Sequence, residues 1–264
     1  MKLTSYPIGI FDSGVGGTSI WKEIKALLPH ENTIYLSDSK NAPYGEKSEQ
    51  QIIDLSIKNT EFLLQQNCKL VIVACNTATT NAIKVLREKY DNPFIGIEPA
   101  IKTAALKTKT NNIGILATKG TLNSELFEKT ASSIAKGITT KETIGKGLVE
   151  LIENGKINSS EMKRLLSSYI KPMLEEQVDC LVLGCTHYPY LIPQIREIVG
   201  EKVQIIDSGE AVARQTKAIL EKHQLLNIDT RKGTHQFYIN KNKKVLEMLI
   251  SKNNGSIKID EKDF

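Results

Sequence analysis

Leu70-Val71-Ile72-Val73-Ala74-Cys75-Asn76-Thr77 is the stretch that decides the fold. Four branched apolar residues follow one another without a polar break. A thiol, an amide and a hydroxyl then arrive together. An unbroken apolar run of this length suits a strand buried on both faces, as in a parallel sheet. The switch to small polar groups marks the carboxyl end of the strand, where open α/β sheets bind ligands. The pattern recurs 110 residues later at Cys180-Leu181-Val182-Leu183-Gly184-Cys185-Thr186-His187. Two more pairs keep the same order. Ile8-Gly9-Ile10-Phe11-Asp12-Ser13 matches Ile113-Gly114-Ile115-Leu116-Ala117-Thr118, and Phe94-Ile95-Gly96-Ile97-Glu98 matches Val203-Gln204-Ile205-Ile206-Asp207. Three matches at nearly one offset indicate two similar halves. Glu98-Pro99-Ala100 interrupts the chain between them and places a boundary near residue 98.

Working outward, strands are expected at Tyr6–Phe11, Thr33–Leu36, Leu70–Ala74, Phe94–Ile97, Asn112–Leu116, Cys180–Leu183 and Val203–Ile206. Helical periodicity fills the gaps. Ile52, Leu55, Phe62 and Leu63 share one helical face, and so do Met162, Leu165, Leu166, Tyr169, Ile170, Met173 and Leu174. Asn158 with Glu161 is the expected cap of the second helix, and Pro172 is expected to kink or shorten it. Strands alternating with helices give an α/β fold with right-handed crossovers.

The 264 residues suit two modest domains or one large one. An apolar fraction of 40% and a charged fraction of 25% fit a globular protein, not a disordered chain, a fibre or a multi-span membrane protein. No apolar run approaches the ~20 residues of a membrane helix. Met1 to Pro7 shows no apolar signal region, so a cytoplasmic protein is expected. The net charge of +5 comes from 35 basic and 30 acidic residues, interleaved along the chain. This reads as a solvated surface, with no nucleic-acid or membrane partner. Lys241-Asn242-Lys243-Lys244 reads the same way.

Four cysteines are too few for a disulfide scaffold, and without a CxxC pair neither a zinc ribbon nor a thioredoxin site is expected. No metal site is expected. Cys68 and Cys180 read as small buried hydrophobes near strand starts. Cys75 and Cys185 end equivalent strands in the two halves, each ahead of an expected helix start. A helix N-terminus lowers a thiol pKa. If the halves face each other, one thiol stands on each side of a small molecule. That is what two-base proton exchange at a carbon requires: one base removes a proton and an acid on the opposite face returns one.

Ser13, Asn76, Thr77, Thr118, Thr121 and Thr186 add neutral donors at strand ends, suited to a carboxylate or a developing carbanion. Each hydroxyl is also a candidate helix cap. Asp12 is placed to orient or shuttle a proton beside Cys75, or to serve as a loop aspartate. His187 has the same choice beside Cys185, with surface exposure as its alternative. Tyr44 in Asn41-Ala42-Pro43-Tyr44-Gly45 walls a cleft or sits in a surface turn. Gly14-Val15-Gly16-Gly17 is neither GxGxxG nor a P-loop, so nucleotide binding is not expected. The glycines instead let the backbone come close to something.

Together these residues resemble the glutamate racemases of the aspartate/glutamate racemase family. The motifs are Asp12-Ser13-Gly14-Val15-Gly16-Gly17, Asp38 with Pro43-Tyr44-Gly45, Ala74-Cys75-Asn76-Thr77-Ala78, Leu116-Ala117-Thr118 through Thr121, and Gly184-Cys185-Thr186-His187-Tyr188-Pro189. They run in family order from about residue 8 to 210; the last fifty or so residues carry no usable motif.

The resemblance implies a cofactor-independent racemase that interconverts L- and D-glutamate and supplies D-glutamate for peptidoglycan in the bacterial cytoplasm. It implies two three-layer α/β domains with mostly parallel sheets, pseudo-twofold related, with the active site in the cleft between them. The chain end is implied to return to the first domain, giving 1–97 plus 208–264 and 98–207. A homodimer is also implied. Cys75 and Cys185 become the acid/base pair, with Asp12 assisting the first and His187 the second. A family glutamate ahead of glycine matches Glu153 in Leu151-Ile152-Glu153-Asn154-Gly155, with Glu150 as the alternative. Substrate contacts carry over to Asp12, Ser13, Tyr44, Gly45, Asn76, Thr77, Thr118, Thr121, Thr186 and His187. Three other readings stand beside this one: a racemase of aspartate or another small acid, a one-cysteine hydrolase or decarboxylase, and a binding module.

Overall fold

The structure is a computed structural model that describes residues 3–134, 137–250 and 256–264. Among them, ten strands run in chain order. They are β1 (Ile8–Asp12), β2 (Thr33–Ser37), β3 (Leu70–Val73), β4 (Phe94–Gly96), β5 (Asn112–Ala117), β6 (Thr139–Ile144), β7 (Cys180–Gly184), β8 (Gln204–Ile206), β9 (His235–Ile239) and β10 (Ile257–Glu261). Two parallel sheets result, one ordered β10-β9-β2-β1-β3-β4 and the other β6-β5-β7-β8. The order β2-β1-β3-β4 repeats as β6-β5-β7-β8. The fold is therefore α/β with two parallel-sheet halves, as the paired motifs indicate.

Strand alternation explains why the runs are apolar throughout. In β3, Leu70 and Ile72 face one core and Val71 and Val73 another; in β7, Leu181 and Leu183 face the first core and Cys180 and Val182 a third. The core shared by the two sheets also takes in Ile8, Ile10, Trp21, Leu151, Leu166 and Phe237. Cys68 and Cys180 are buried free thiols in the flanking cores, pushed up to about 12 and about 11 by burial. This fits their reading as packing residues.

All seven expected strands form, with ends shifted by a residue or two. Three others escape the apolar-run criterion. β6 is an edge strand, Thr-Thr-Lys-Glu-Thr-Ile, with no buried residue. β9 alternates buried and half-buried side chains, and β10 is another edge strand. The helix Ser160–Glu175 buries Met162, Leu166, Ile170 and Met173 as its period demands. Its cap is Ser159, whose hydroxyl accepts from the Met162 N–H, and not Asn158. The Asn158 side chain instead accepts from Gln194. Pro172 does not shorten the helix, which runs on to Glu175.

At the amino ends of the strands, Lys69 Nζ lies 2.6 Å from Glu31 Oε2 with both side chains almost wholly buried. The same ammonium donates to the Thr4 carbonyl, and Glu31 accepts from the Asn227 N–H. Removing one partner leaves a buried charge uncompensated. Lys69→Met is expected to cost about 3–5 kcal/mol of stability, read from urea unfolding. A loss below about 1 kcal/mol would fit a solvated pair and contradict this reading.

Candidate active site

Cys75 follows β3 and caps the helix Asn76–Lys89 with its own sulfur, which accepts from the Ala78 N–H at 3.5 Å. Its thiol also reaches Ser13 Oγ at 3.6 Å. Asp12 ends the neighbouring strand β1, wholly buried, with Oδ2 accepting from the Gly17 N–H at 2.7 Å. Burial raises the Asp12 carboxyl, opposed by the nearby His187 and the Gly17 hydrogen bond. Burial and then the Asp12 charge push the Cys75 thiol well above its ordinary value. The helix N-terminus does not win here; desolvation outweighs it.

Cys185 follows β7 but caps no α-helix. Tyr188–Leu191 is a short 3₁₀ turn, and the next α-helix spans Ile192–Val199. The partner of this thiol is a side chain: His187 Nδ1 lies 3.7 Å from Cys185 Sγ. His187 Nε2 lies 2.6 Å from Glu153 Oε1. Burial alone would depress His187, but Cys185 and Glu153 outweigh it and hold the imidazole well above its usual range. Burial likewise opposes the Glu153 carboxylate, yet His187, Ser39 and the Val15 N–H hold it below its usual range. The expected helix dipole at Cys185 is thus replaced by a buried imidazolium–carboxylate pair.

Ser13, Tyr44, Gly45, Cys75, Asn76, Thr77, Thr118, Cys185, Thr186 and His187 line one small, tightly closed cavity of about 10 Å³ with Pro43 and Val149. It takes residues from loops of both sheets. Thr121 and Asp12 lie behind this wall. Thr121 Oγ1 meets Thr118 Oγ1 at 2.9 Å and Thr77 Oγ1 at 3.3 Å, while Thr77 and Thr118 meet at 2.8 Å. Thr118 also caps the helix Lys119–Leu122. Tyr44 Oη donates to Asp38 at 2.5 Å, which fixes the ring as a wall. Asn76 is buried, and both polar atoms of its side chain lack a protein partner. A buried amide pays for desolvation unless something completes it. Among the described residues no group of three or more His, Cys, Asp or Glu could hold a metal.

The glycines of Gly14-Val15-Gly16-Gly17 admit these groups. A Cβ on Gly14 would overlap Glu153 Oε1, and one on Gly16 would overlap His187 Nδ1. One on Gly17 would stand 2.8 Å from Asp12 Cβ. The Val15 and Gly17 N–H groups are taken by Glu153 and Asp12, so neither remains for a phosphate. Gly16→Ala must displace His187 from Cys185, since Cβ and ring cannot coexist. Turnover is expected to fall at least about tenfold, with the chain still folded by circular dichroism; unchanged kcat would contradict the packing.

The structure brings Glu153 to His187. Glu150 instead lines an adjoining cavity with Lys119 and Lys146. Three contributors were missed in the sequence. Ser39 Oγ donates to Glu153 Oε2 at 2.7 Å. Asn240 donates to Asp38 at 2.6 Å and Asn242 to the Glu153 carbonyl at 3.0 Å. The two asparagines lie in the final segment, where no local signal marks them.

The chain and its fold are similar to known proteins. The family model described as Asp/Glu/hydantoin racemase matches residues 15–216. A glutamate racemase of Herpetosiphon aurantiacus is 44% identical over 228 residues, 86% of this chain and 90% of the relative. One from Clostridium perfringens is 41% identical over 248 residues, covering 93% and 95%. Among solved structures, a glutamate racemase isoform from Bacillus anthracis has a TM-score of 0.87 at 31% identity, covering 99% and 98%. The Francisella tularensis glutamate racemase in complex with D-glutamate has a TM-score of 0.83 at 29% identity, covering 98% of each chain. No helix among the described residues is long and apolar enough to cross a membrane. The chain belongs to the Asp/Glu/hydantoin racemase family, among its glutamate racemases, and is an amino-acid racemase.

Proposed function

We propose that the chain racemises glutamate by moving a proton between the substrate α-carbon and two cysteines, without a cofactor. One thiolate takes the α-proton as the C–H electron pair passes to the carbon. The opposite thiol then delivers its own proton to the other face, which inverts the centre. The observation that carries this reading is the shared cavity lined by Cys75 and Cys185, with Asp12 behind one and His187 beside the other.

The two sides are poised differently. Burial and Asp12 favour the protonated form of Cys75, which suits a resting acid. His187, held positive, stands beside Cys185 instead. The unpartnered Asn76 amide, with one donor group and one acceptor, would complete itself on the substrate ammonium and carboxylate. Ser13, Tyr44, Gly45, Thr77, Thr118 and Thr186 would complete the pocket, with Thr121 and Asp12 supporting from behind. Backbone N–H groups at the start of the helix Asn76–Lys89 add donors for a carboxylate.

The Francisella tularensis structure in complex with D-glutamate and the Escherichia coli one with L-glutamate and UDP-MurNAc-Ala support glutamate as the substrate here. Sheet membership supports domains of 1–97 plus 208–264 and 98–207, since β9 pairs with β2 and β10 with β9. Supply of D-glutamate for peptidoglycan in the cytoplasm, and a homodimer, rest on the family resemblance.

Racemisation in heavy water without added cofactor tests the reaction. Deuterium is expected at the α-carbon of the inverted product, with L-glutamate turned over faster than L-aspartate. Inversion that retains the original α-hydrogen would reject exchange through thiols. Faster turnover of aspartate would reassign the substrate.

A further inference from the structure

The loop Cys185–Tyr190 leaves the second sheet, yet the first turn of the helix Thr18–Leu27 grips it. Ser19 Oγ donates to the Thr186 carbonyl at 2.9 Å, in the peptide unit that joins Thr186 to His187. One residue earlier, Thr18 Oγ1 and Tyr190 Oη lie 2.5 Å apart. The direction of this bond follows from counting hydrogens. Thr18 gives its single hydroxyl hydrogen to the Val15 carbonyl at 2.6 Å, because a carbonyl can only accept. The hydrogen between Thr18 and Tyr190 therefore comes from Tyr190. Burial raises this phenol to about 12, so it keeps that hydrogen near neutral pH.

Val15 links this bond to the catalytic loop. Its carbonyl is held by Thr18, and its N–H donates to Glu153 Oε1 at 2.6 Å. That oxygen also meets His187 Nε2, whose ring meets Cys185. The bonds close a circuit that leaves the loop at Tyr190, crosses the first half through Thr18 and Val15, and returns through Glu153 to His187. Tyr190 does not line the cavity. Lys22 Nζ stands over its ring at 4.9 Å, on the side of the same helix.

We infer that the Tyr190–Thr18 hydroxyl pair is a positioning latch that fixes Cys185 and His187 against the first half without touching substrate. This rests on the reading of Cys185 and His187 as proton-transfer groups. Tyr190→Phe removes only the donor, and the ring keeps its packing. Without the bond the loop samples positions from which Cys185 misses the α-carbon, while the rest of the pocket still binds glutamate. Loss is therefore expected in kcat and not in KM.

The test measures racemisation by Tyr190→Phe, Thr18→Val, Thr18→Ser and the Tyr190→Phe/Thr18→Val double variant, with melting curves for each. Tyr190→Phe is expected to lower kcat about fivefold, with KM changed less than about twofold. Thr18→Ser keeps the hydroxyl and is expected to stay close to the parent. The double variant is expected to fall no further than the worse single one, Thr18→Val, since Tyr190→Phe removes only a bond that Thr18→Val has already removed. If Thr18→Val does not fold, the isosteric Tyr190→Phe decides alone. Unchanged kcat in Tyr190→Phe, a loss confined to KM, or additive losses would each overturn the latch. Cys185→Ala separates the two levels of the argument. If it is inactive while Tyr190→Phe is unaffected, only the latch fails. If it stays fully active, the reading of the site fails with it.

Discussion

Cys75→Ala and Cys185→Ala are each expected to lower kcat for glutamate racemisation by about 10²–10⁴-fold, the usual share of a positioned acid or base. Both sulfurs line one cavity, so neither can be replaced by a distant group. The sharper expectation concerns partial reactions. In the proposed mechanism each thiol serves one face of the α-carbon, and each face corresponds to one enantiomer. Cys185→Ala keeps an acid/base group only on the Cys75 face. It is expected to exchange the α-hydrogen of one enantiomer with solvent deuterium and leave it uninverted. Cys75→Ala is expected to exchange the other enantiomer. Proton NMR of D- and L-glutamate in heavy water reads both. Exchange of the same enantiomer by both variants would rule out one thiol per face.

Glu153→Gln is expected to be nearly as damaging. It keeps the shape of the side chain and removes its charge. His187 is buried, and once the Glu153 carboxylate is gone desolvation is opposed only by Cys185 and Asp12, so the ring shifts towards the neutral form. Turnover is expected to fall about 10²-fold, because the cation beside Cys185 is weakened and His187 loses the carboxylate that orients it. Stability should change with a particular dependence on pH. His187 is raised above 6.5, so its contribution is complete below that value and is lost as pH rises through the raised one. Glu153 is lowered below 4.5, so its contribution is complete above that value and is lost as pH falls through the lowered one. Both are complete between pH 4.5 and 6.5. The gap in unfolding free energy between the parent and Glu153→Gln is expected to be widest there, at about 1.5–3 kcal/mol for a charge-assisted hydrogen bond. A gap that stays constant from about pH 4 to about pH 9 would show that the pair is not charged.

The fold was legible where a strand is buried on both faces. β1, β3, β5 and β7 are flanked on both sides by other strands and covered by apolar cores, so their composition declares them. β6 was silent for the opposite reason: an exposed edge strand imposes no apolar pattern on its residues. The cap of the helix Ser160–Glu175 was misassigned because Asn158 and Ser159 are both good caps. The choice fell to tertiary contact, where Gln194 claims Asn158.

In the candidate site, the two Cys motifs, Asp12 and His187 could be singled out as neighbours because open α/β sheets gather strand ends at one edge and the repeat marks equivalent ends. What each thiol meets could not be found that way. Cys75 does cap a helix, yet burial and Asp12 govern its proton. Cys185 caps no α-helix and is served by His187. The glycine loop was legible as a place of close approach, but the groups that approach are Glu153 and His187, far along the chain.

By itself, then, the sequence determined the parallel α/β character, the two halves and the pair of thiols, because period, burial and motif are local properties of the chain. Only the tertiary structure decided which carboxylate pairs with His187, which hydroxyls brace the loops and how Asn240 and Asn242 return to support them. Glu153 and Val15 are 138 residues apart, and Asp38 and Asn240 are 202. Contacts at that separation are set by how whole sheets pack, and packing energy leaves no mark on a single polar residue until the fold has brought its partner within reach.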